Sequence, residues 1–114
     1  MTFLQAVARQ EGFYIPHTRP ARNHNPGDIE WGQFAKAHGA IGGDPRFAIF
    51  PDDVTGFAAM RALFQAPAYQ GLSVEAALNK WAPPIENATN IYIEHVCEWV
   101  PCQPTDIIDS LVVM

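Results

Sequence analysis

The chain has 114 residues, 48% of them hydrophobic, which suits one compact domain spanning residues 1–114 and, we expect, a monomer. A net charge of −5, with only seven basic residues and no basic run, argues against nucleic-acid binding as the main activity. No apolar stretch of about 18 residues indicates a membrane span, and the N-terminal region lacks the pattern of a signal peptide.

The first helix is predicted over residues 2–11. Thr2 and Gln5 have the spacing of a capping box at its start, and Gly12 is a typical stop. Spacings of three and four residues place Glu11 on the apolar face of this helix. An apolar setting disfavours the charged form of a carboxyl group, so we expect a raised pKa that suits a proton donor. The alternative is a helix-end glutamate that is solvated or paired with a nearby arginine.

A long, turn-rich segment, residues 12–27, follows the helix. It leads into Asn25-Pro26-Gly27-Asp28, where Pro26 presets its own φ and Gly27 allows the positive φ of a type II turn. Loops of this length in small domains are more often functional than idle. The segment is therefore a candidate functional loop.

Two short patterns of period two, at residues 29–31 and 46–50, predict strands in a β-hairpin or a three-stranded sheet. The glycine-rich stretch between them, residues 34–44, predicts a mobile loop or one helical turn. Helical periodicity returns after residue 51. The expected N-caps there are Asp52 or Asp53, Ser73, Asn87 or Thr89, and Thr105. This order predicts a mainly helical α+β fold, with a small antiparallel sheet lining a cleft.

Cys97 and Cys102 are the only cysteines, and Pro101 between them lets the chain bend. A disulfide and a pair of free thiols are both compatible with this separation. Neither cysteine has a histidine at the spacing of a metal site, and the four histidines form no metal-binding motif. We therefore expect no metal and no other cofactor.

Five segments share the order and spacing of motifs in one family. They are EGFYIP, RNHNPGDIEWG, DPRFAIFPDDVTGFAAMRALF, GLSVEAALNKWAPP and ENATNIYIEHV. Over about residues 3–100 the chain resembles the small lysozyme-like domains of phage and bacterial cell-wall enzymes. The resemblance implies a lysozyme-like fold and cleavage of the β-1,4 bond between N-acetylmuramic acid and N-acetylglucosamine in peptidoglycan. The chain departs from the family at His24 and Asp28, where asparagine is usual.

The resemblance also implies that Glu11 is the catalytic acid. Glycosidic cleavage needs such a proton donor on the leaving oxygen. A second carboxylate would act as nucleophile at about 5–5.5 Å or activate water at about 6.5–9.5 Å. Asp28 is the first candidate, with Glu30 and Asp44 behind it, although Asp28 is also a typical residue for a turn bonded to its own backbone. Without a second carboxylate, the 6-hydroxyl of the sugar attacks and forms a 1,6-anhydro product, as in lytic transglycosylases.

A saccharide groove needs aromatic platforms flanked by amide and hydroxyl groups. The predicted substrate-binding residues are Tyr14, Asn25, Trp31, Asn87 and Tyr92. The resemblance brings the Asn25 turn and the segment from residue 86 to residue 92 to the cleft. The alternative is structural: both asparagines would only cap or turn, and Tyr92 would only pack in the core.

We therefore predict a bacteriolytic peptidoglycan glycosidase, a muramidase or a lytic transglycosylase, whose partner is the glycan strand. Because no signal peptide is visible, we expect delivery to the periplasm or cell wall by a phage particle, a permeabilised membrane or a secretion system. Two alternatives stay open. One is a non-catalytic peptidoglycan-binding or phage structural module with the same fold, and the other is a chitin-type glycosidase.

Overall fold

The computed structural model describes residues 1–113 and has a mixed helical fold with one small antiparallel sheet. Its elements are α1 (Phe3–Gln10), α2 (Arg19–Arg22), α3 (Gln33–Ala37), β1 (Gly42–Asp44), β2 (Phe47–Ile49), α4 (Asp53–Phe64), α5 (Val74–Trp81), α6 (Thr89–Trp99) and a 3₁₀ turn (Ile108–Ser110). This composition confirms the predicted α+β class in general terms. None of the helices in this part of the chain is long and apolar enough to cross a membrane.

The chain divides into two compact units. The middle unit comprises Val7–Ala62, and the terminal unit comprises Met1–Ala6 together with the chain from Leu63 onward. Each unit has its own buried apolar side chains.

The capping box predicted for α1 is present. The Thr2 hydroxyl accepts a hydrogen bond from the Gln5 backbone N–H at 3.1 Å, and the Gln5 side-chain oxygen accepts one from the Thr2 N–H at 3.0 Å. Two otherwise unpaired backbone donors are thereby satisfied at the start of the helix. The apolar face is buried as predicted, with Leu4 and Val7 at 2% and 0% exposure.

The sheet of the middle unit is a two-stranded hairpin. β1 runs antiparallel to β2, with Gly42 opposite Ile49 and Asp44 opposite Phe47. The strand predicted around β2 is confirmed, whereas residues 29–31 contribute only an isolated bridge from Glu30 to Phe47. The true partner, β1, lies in the stretch predicted as loop or helical turn. Its sequence, Gly-Gly-Asp, has weak strand propensity, so pairing with β2 decides its conformation.

Two predicted N-caps are confirmed after the sheet. The Asp52 carboxylate accepts from the Thr55 N–H at 2.8 Å, and the Ser73 hydroxyl accepts from the Ala76 N–H at 3.1 Å. The next helix, α6, begins at Thr89 without a side-chain cap. The Thr89 hydroxyl instead donates to a carbonyl group at the end of α5.

The prediction of a helix that begins at Thr105 is wrong. Only a three-residue 3₁₀ turn follows, because this segment bonds to the chain before α5. The Val74 N–H donates to the Asp106 carbonyl at 2.8 Å, and the Ile108 N–H donates to the Leu72 carbonyl at 3.0 Å. These long-range bonds hold the backbone around residue 107 extended.

Cys97 and Cys102 are free thiols in the structure. Their sulfur atoms lie 3.7 Å apart, with the Cys102 thiol donating to Cys97. Burial raises the pKa of both thiols, that of Cys102 to about 12. Both side chains therefore stay protonated at neutral pH.

The terminal unit contains a cluster of packed aromatic rings. Phe64 stacks on Trp81 with ring centroids 4.0 Å apart, and Tyr69 packs edge-on against Phe64 at 5.4 Å. Tyr69 is only 6% exposed, and burial raises the pKa of its hydroxyl to about 12. Ionising this phenol is therefore costly in the folded protein.

We expect stability to fall as pH rises from about 10 to about 12, partly through Tyr69. Below pH 10 the phenol is neutral in both states. Above it the unfolded chain ionises first, at a cost to folding of about 2–3 kcal/mol by pH 12. Tyr69→Phe should reduce this loss of unfolding free energy, measured by urea unfolding at several pH values. The loss that remains would come partly from the two cysteine thiols. The same pH slope in Tyr69→Phe and wild type would contradict the assignment. Tyr14→Phe, at a half-exposed ring whose pKa is also raised, should flatten the loss less than Tyr69→Phe does.

Candidate active site

Glu11 lies where α1 ends, at a position fixed by backbone hydrogen bonds. Gly12 has a φ of 88°, a conformation that glycine adopts without strain. The Gly12 N–H donates to the Arg9 carbonyl at 3.1 Å, and the Phe13 N–H donates to the Ala8 carbonyl at 3.0 Å. This pair of bonds is a Schellman motif. The chain therefore turns directly after Glu11, whose side chain is half-buried.

Thr18 connects the next helix to this turn. Its hydroxyl lies 2.9 Å from the carbonyl oxygens of Gly12 and Ile15, to which it donates. The same oxygen caps α2 by accepting from the Ala21 N–H. The prediction of turns throughout residues 12–27 missed α2, which contains Pro20. A threonine two residues before a proline is, however, a recognisable helix start.

Asp28 is paired with Arg19. The Arg19 Nε donates to Asp28 Oδ1 at 3.1 Å, and Nη2 donates to Oδ2. The Asp28 side chain is 9% exposed. The hydrogen bond to Asp28 is the largest cause that raises the pKa of Arg19, and the charges of Asp28 and Glu11 act in the same direction. Both carboxylate oxygens of Asp28 are thus used by one guanidinium group.

The turn before Asp28 differs from the predicted type II turn. The Asp28 N–H donates to the Asn25 carbonyl at 3.0 Å, so a four-residue turn is present. The positive φ falls on Asp28, at 49°, and not on Gly27. Aspartate tolerates the left-handed region better than most residues, and its pairing with Arg19 holds it there.

Asn25 is fully buried and holds the turn against the sheet. Its side-chain amide donates to the carbonyl groups of Ile29 and Ala48, both at 2.9 Å. Its side-chain oxygen accepts from the Ile29 N–H at 2.9 Å. With no exposed surface, Asn25 fits the structural alternative stated for it.

Tyr14 and Trp31 both expose aromatic surface in the middle unit. Tyr14 is 48% exposed and packs edge-on against Phe13. Trp31 is 40% exposed, and its side chain covers Gly43 so closely that a Cβ there would lie 2.7 Å from it. Each ring is supported by the protein on one side, as a sugar-stacking platform requires.

Asn87 and Tyr92 belong to the terminal unit, whereas the other predicted site residues belong to the middle unit. Asn87 is exposed, and its side-chain amide donates to the Pro83 carbonyl at 3.1 Å. Tyr92 is 4% exposed on the buried side of α6. Asn87 therefore has accessible surface, and Tyr92 has little.

The two alternative carboxylates are paired on the surface. Glu30 accepts from the Arg46 guanidinium at 2.8 and 2.6 Å and is 60% exposed. Asp44 lies 3.9 Å from Arg22 and is 46% exposed. Neither is shielded from water as Asp28 is.

Two histidines of the middle unit have partners of their own. His24 Nδ1 lies 2.7 Å from an Asp53 carboxylate oxygen, and the His38 ring stacks on Phe34. Among residues 1–113, no group of three His, Cys, Asp or Glu side chains could hold a metal ion. Neither a known family model nor a curated protein matches the chain.

Proposed function

We propose that the protein is a lysozyme-like peptidoglycan glycosidase that cleaves the bond between N-acetylmuramic acid and N-acetylglucosamine, with Glu11 as its acid. One observation carries the proposal. Glu11 is a half-buried carboxyl group held where α1 turns, at a point fixed by the Schellman bonds and by Thr18. A fixed, partly shielded carboxyl group suits proton donation to a leaving oxygen. The order of the five sequence motifs supports the same assignment.

The pairing of the three candidates for a second catalytic carboxylate favours a mechanism in which Glu11 is the only acid. Both oxygens of Asp28 accept from Arg19, while Glu30 and Asp44 are exposed and paired with arginines. In the proposed reaction, Glu11 protonates the leaving glycosidic oxygen as its bond to C1 breaks. The 6-hydroxyl oxygen of the muramic acid then bonds to C1 and returns its proton to Glu11. The product is a 1,6-anhydro sugar, and Glu11 is regenerated.

The proposed sugar contacts come from exposed aromatic and amide groups. Tyr14 and Trp31 would stack on apolar sugar faces, because each leaves about half of its surface free. The exposed Asn87 would bond to hydroxyl or acetamido groups. A sugar contact by Tyr92, which is 4% exposed, stays a prediction.

Digestion of purified sacculi tests the function. The expected result is release of soluble muropeptides whose new ends are 1,6-anhydro-N-acetylmuramic acid, seen in mass spectra as a loss of one water. Release of N-acetylmuramic acid with a reducing end would support the glycosidase activity but would show that the mechanism is hydrolysis. Boiled protein is the control for spontaneous release, and chitin oligomers test the chitin-type alternative.

A binding module is the second candidate function. It is favoured by Asp28, which stands where relatives of the proposed family have asparagine and whose carboxylate is fully engaged by Arg19. Sedimentation of the protein with insoluble sacculi, without any new reducing or anhydro ends, would support this candidate and refute the enzyme.

A further inference from the structure

Cys97 and Cys102 form a close pair in the terminal unit. Cys97 lies near the end of α6, and the Cys102 N–H donates to the Cys97 carbonyl at 3.0 Å. This backbone hydrogen bond already closes the turn between the two residues. Their sulfur atoms are 3.7 Å apart, so each would have to move by less than about 1 Å to reach the S–S bonding distance. Both side chains are only half-buried, which leaves a small reagent access to them.

The surroundings of the pair are unlike those of a catalytic thiol. Such thiols have a lowered pKa beside a cation or a helix N-terminus. Here burial raises the pKa of both thiols, and the charge of Asp106 raises each further. Lys80, the single Lys or Arg of the terminal unit, lies against the ring of Tyr69. The chemistry that the geometry favours is therefore a bond between the two sulfur atoms.

We propose that Cys97 and Cys102 are a site of reversible disulfide formation, with a small-molecule disulfide of the glutathione type as the oxidant. The bond would tie the end of α6 to the segment that follows Cys102. That segment is hydrogen-bonded to the start of α5, because the Glu75 N–H donates to the Pro104 carbonyl at 2.9 Å and the Val74 N–H donates to the Asp106 carbonyl at 2.8 Å. The disulfide would thus join covalently two parts of the terminal unit that are otherwise held by packing and hydrogen bonds.

The hydrogen bond between the thiols assigns the order of the two exchange steps. The Cys102 thiol donates to the Cys97 sulfur, which stabilises the thiolate of Cys97 and opposes the effect of burial on its pKa. The Cys97 thiolate attacks one sulfur of oxidised glutathione, whose S–S bond breaks and releases one reduced glutathione. The Cys102 sulfur then loses its proton and attacks the Cys97 sulfur of the mixed disulfide, which releases the second. Two protein thiols are oxidised, and the oxidant is reduced to two thiols that take up both protons.

The pair would respond to the redox state of its compartment. In a reducing compartment both thiols stay free, and in an oxidising one the bond closes. The closed bond restricts the unfolded chain, so the folded terminal unit becomes relatively more stable. This effect does not depend on the cleavage of sacculi.

The first test exposes the full chain to oxidised glutathione at about pH 8.5, where more of the thiol is ionised than at neutral pH. After alkylation of the remaining thiols, intact mass spectra of the wild type should show the loss of two hydrogen atoms and no alkylated cysteine. Cys102→Ser should retain one glutathione on Cys97, because nothing displaces it. Cys97→Ser, the matched single-thiol variant, should form its adduct at least about tenfold more slowly.

The second test measures the effect on unfolding. Oxidised wild type should have a Tm at least about 5 °C above that of the reduced protein, and dithiothreitol should abolish the difference. The double variant with serine at both positions is the control, and the oxidant should leave its Tm unchanged.

Two alkylated cysteines after treatment of the wild type, or disulfides between chains in place of the internal one, would overturn the proposed site. Equal adduct rates in the two single variants would refute the order of the steps. An internal disulfide that leaves the Tm unchanged would refute the stabilising role.

Discussion

Replacing Glu11 by Gln is expected to slow the release of soluble fragments from sacculi by at least about 100-fold, and by up to about 10,000-fold. The amide has nearly the shape of the carboxyl group, so it should fit the same half-buried position at the end of α1. It cannot donate a proton to the leaving oxygen or accept one from the attacking hydroxyl. Initial rates of turbidity loss in sacculus suspensions measure the effect.

Glu98→Gln is the matched control for this variant. Glu98 is exposed on α6 in the terminal unit, so the same chemical change should leave the initial rate unaltered. Equal thermal unfolding of Glu11→Gln and wild type would show that the loss is not one of folding. A Glu11→Gln protein that solubilises sacculi at the wild-type rate would remove Glu11 from the mechanism.

The net charges of the two units affect how each unit would interact with an anionic cell wall. The middle unit has six basic and six acidic side chains, while the terminal unit has one basic and six acidic side chains. The whole net charge of −5 therefore belongs to the terminal unit. An acidic chain is a poor overall match for an anionic cell wall, but this objection does not apply to the unit that contains Glu11. The unit with Tyr14 and Trp31 therefore has no net charge.

Local signals in the sequence predicted several helix boundaries. The capping box of Thr2 and Gln5, the cap at Ser73 and the stop at Gly12 each depend on hydrogen bonds between residues at most five positions apart. Such bonds need only neighbouring residues, so a short pattern predicts them where no long-range partner competes. The position of Glu11 at the end of α1 followed from the same local chemistry.

Long-range partners decided what the sequence could not show. Strand β1 exists because β2 pairs with it, and the chain near residue 107 is extended because it bonds to the segment before α5. The Asn25 side chain is buried, and its amide donates to the Ala48 carbonyl, 23 positions away, which no local pattern indicates. Residue type alone cannot distinguish a buried amide that fixes a turn from an exposed one.

The candidate site shows the same limit. Asp28 was selected because catalysis by two carboxylates needs a second acid, and its residue type fits that role. Its partner, Arg19, lies nine positions earlier on a short helix that the turn-rich sequence concealed. Once α2 is recognised from Thr18 and Pro20, an arginine at its first position becomes a visible candidate partner.

A second large effect is expected at Gly56, in the first half of α4. Gly56 is buried where α4 meets the turn before Asp28. A Cβ there would lie 2.0 Å from the His24 carbonyl oxygen and 2.8 Å from Pro26 Cδ. Real Cβ atoms do not approach other atoms this closely, and the nearest obstacle is backbone, which cannot rotate away. The glycine therefore lets the helix touch the turn directly.

Gly56→Ala should consequently destabilise the protein by about 2–4 kcal/mol in urea unfolding, with an unchanged m-value. Helix propensity alone predicts the opposite sign, a gain of about 1 kcal/mol for alanine over glycine. Gly42→Ala is the matched control, because a Cβ at Gly42 meets nothing within 4 Å, and we expect a change within about 0.5 kcal/mol. Stabilisation of the Gly56→Ala protein would mean that α4 and the turn are further apart than this contact requires.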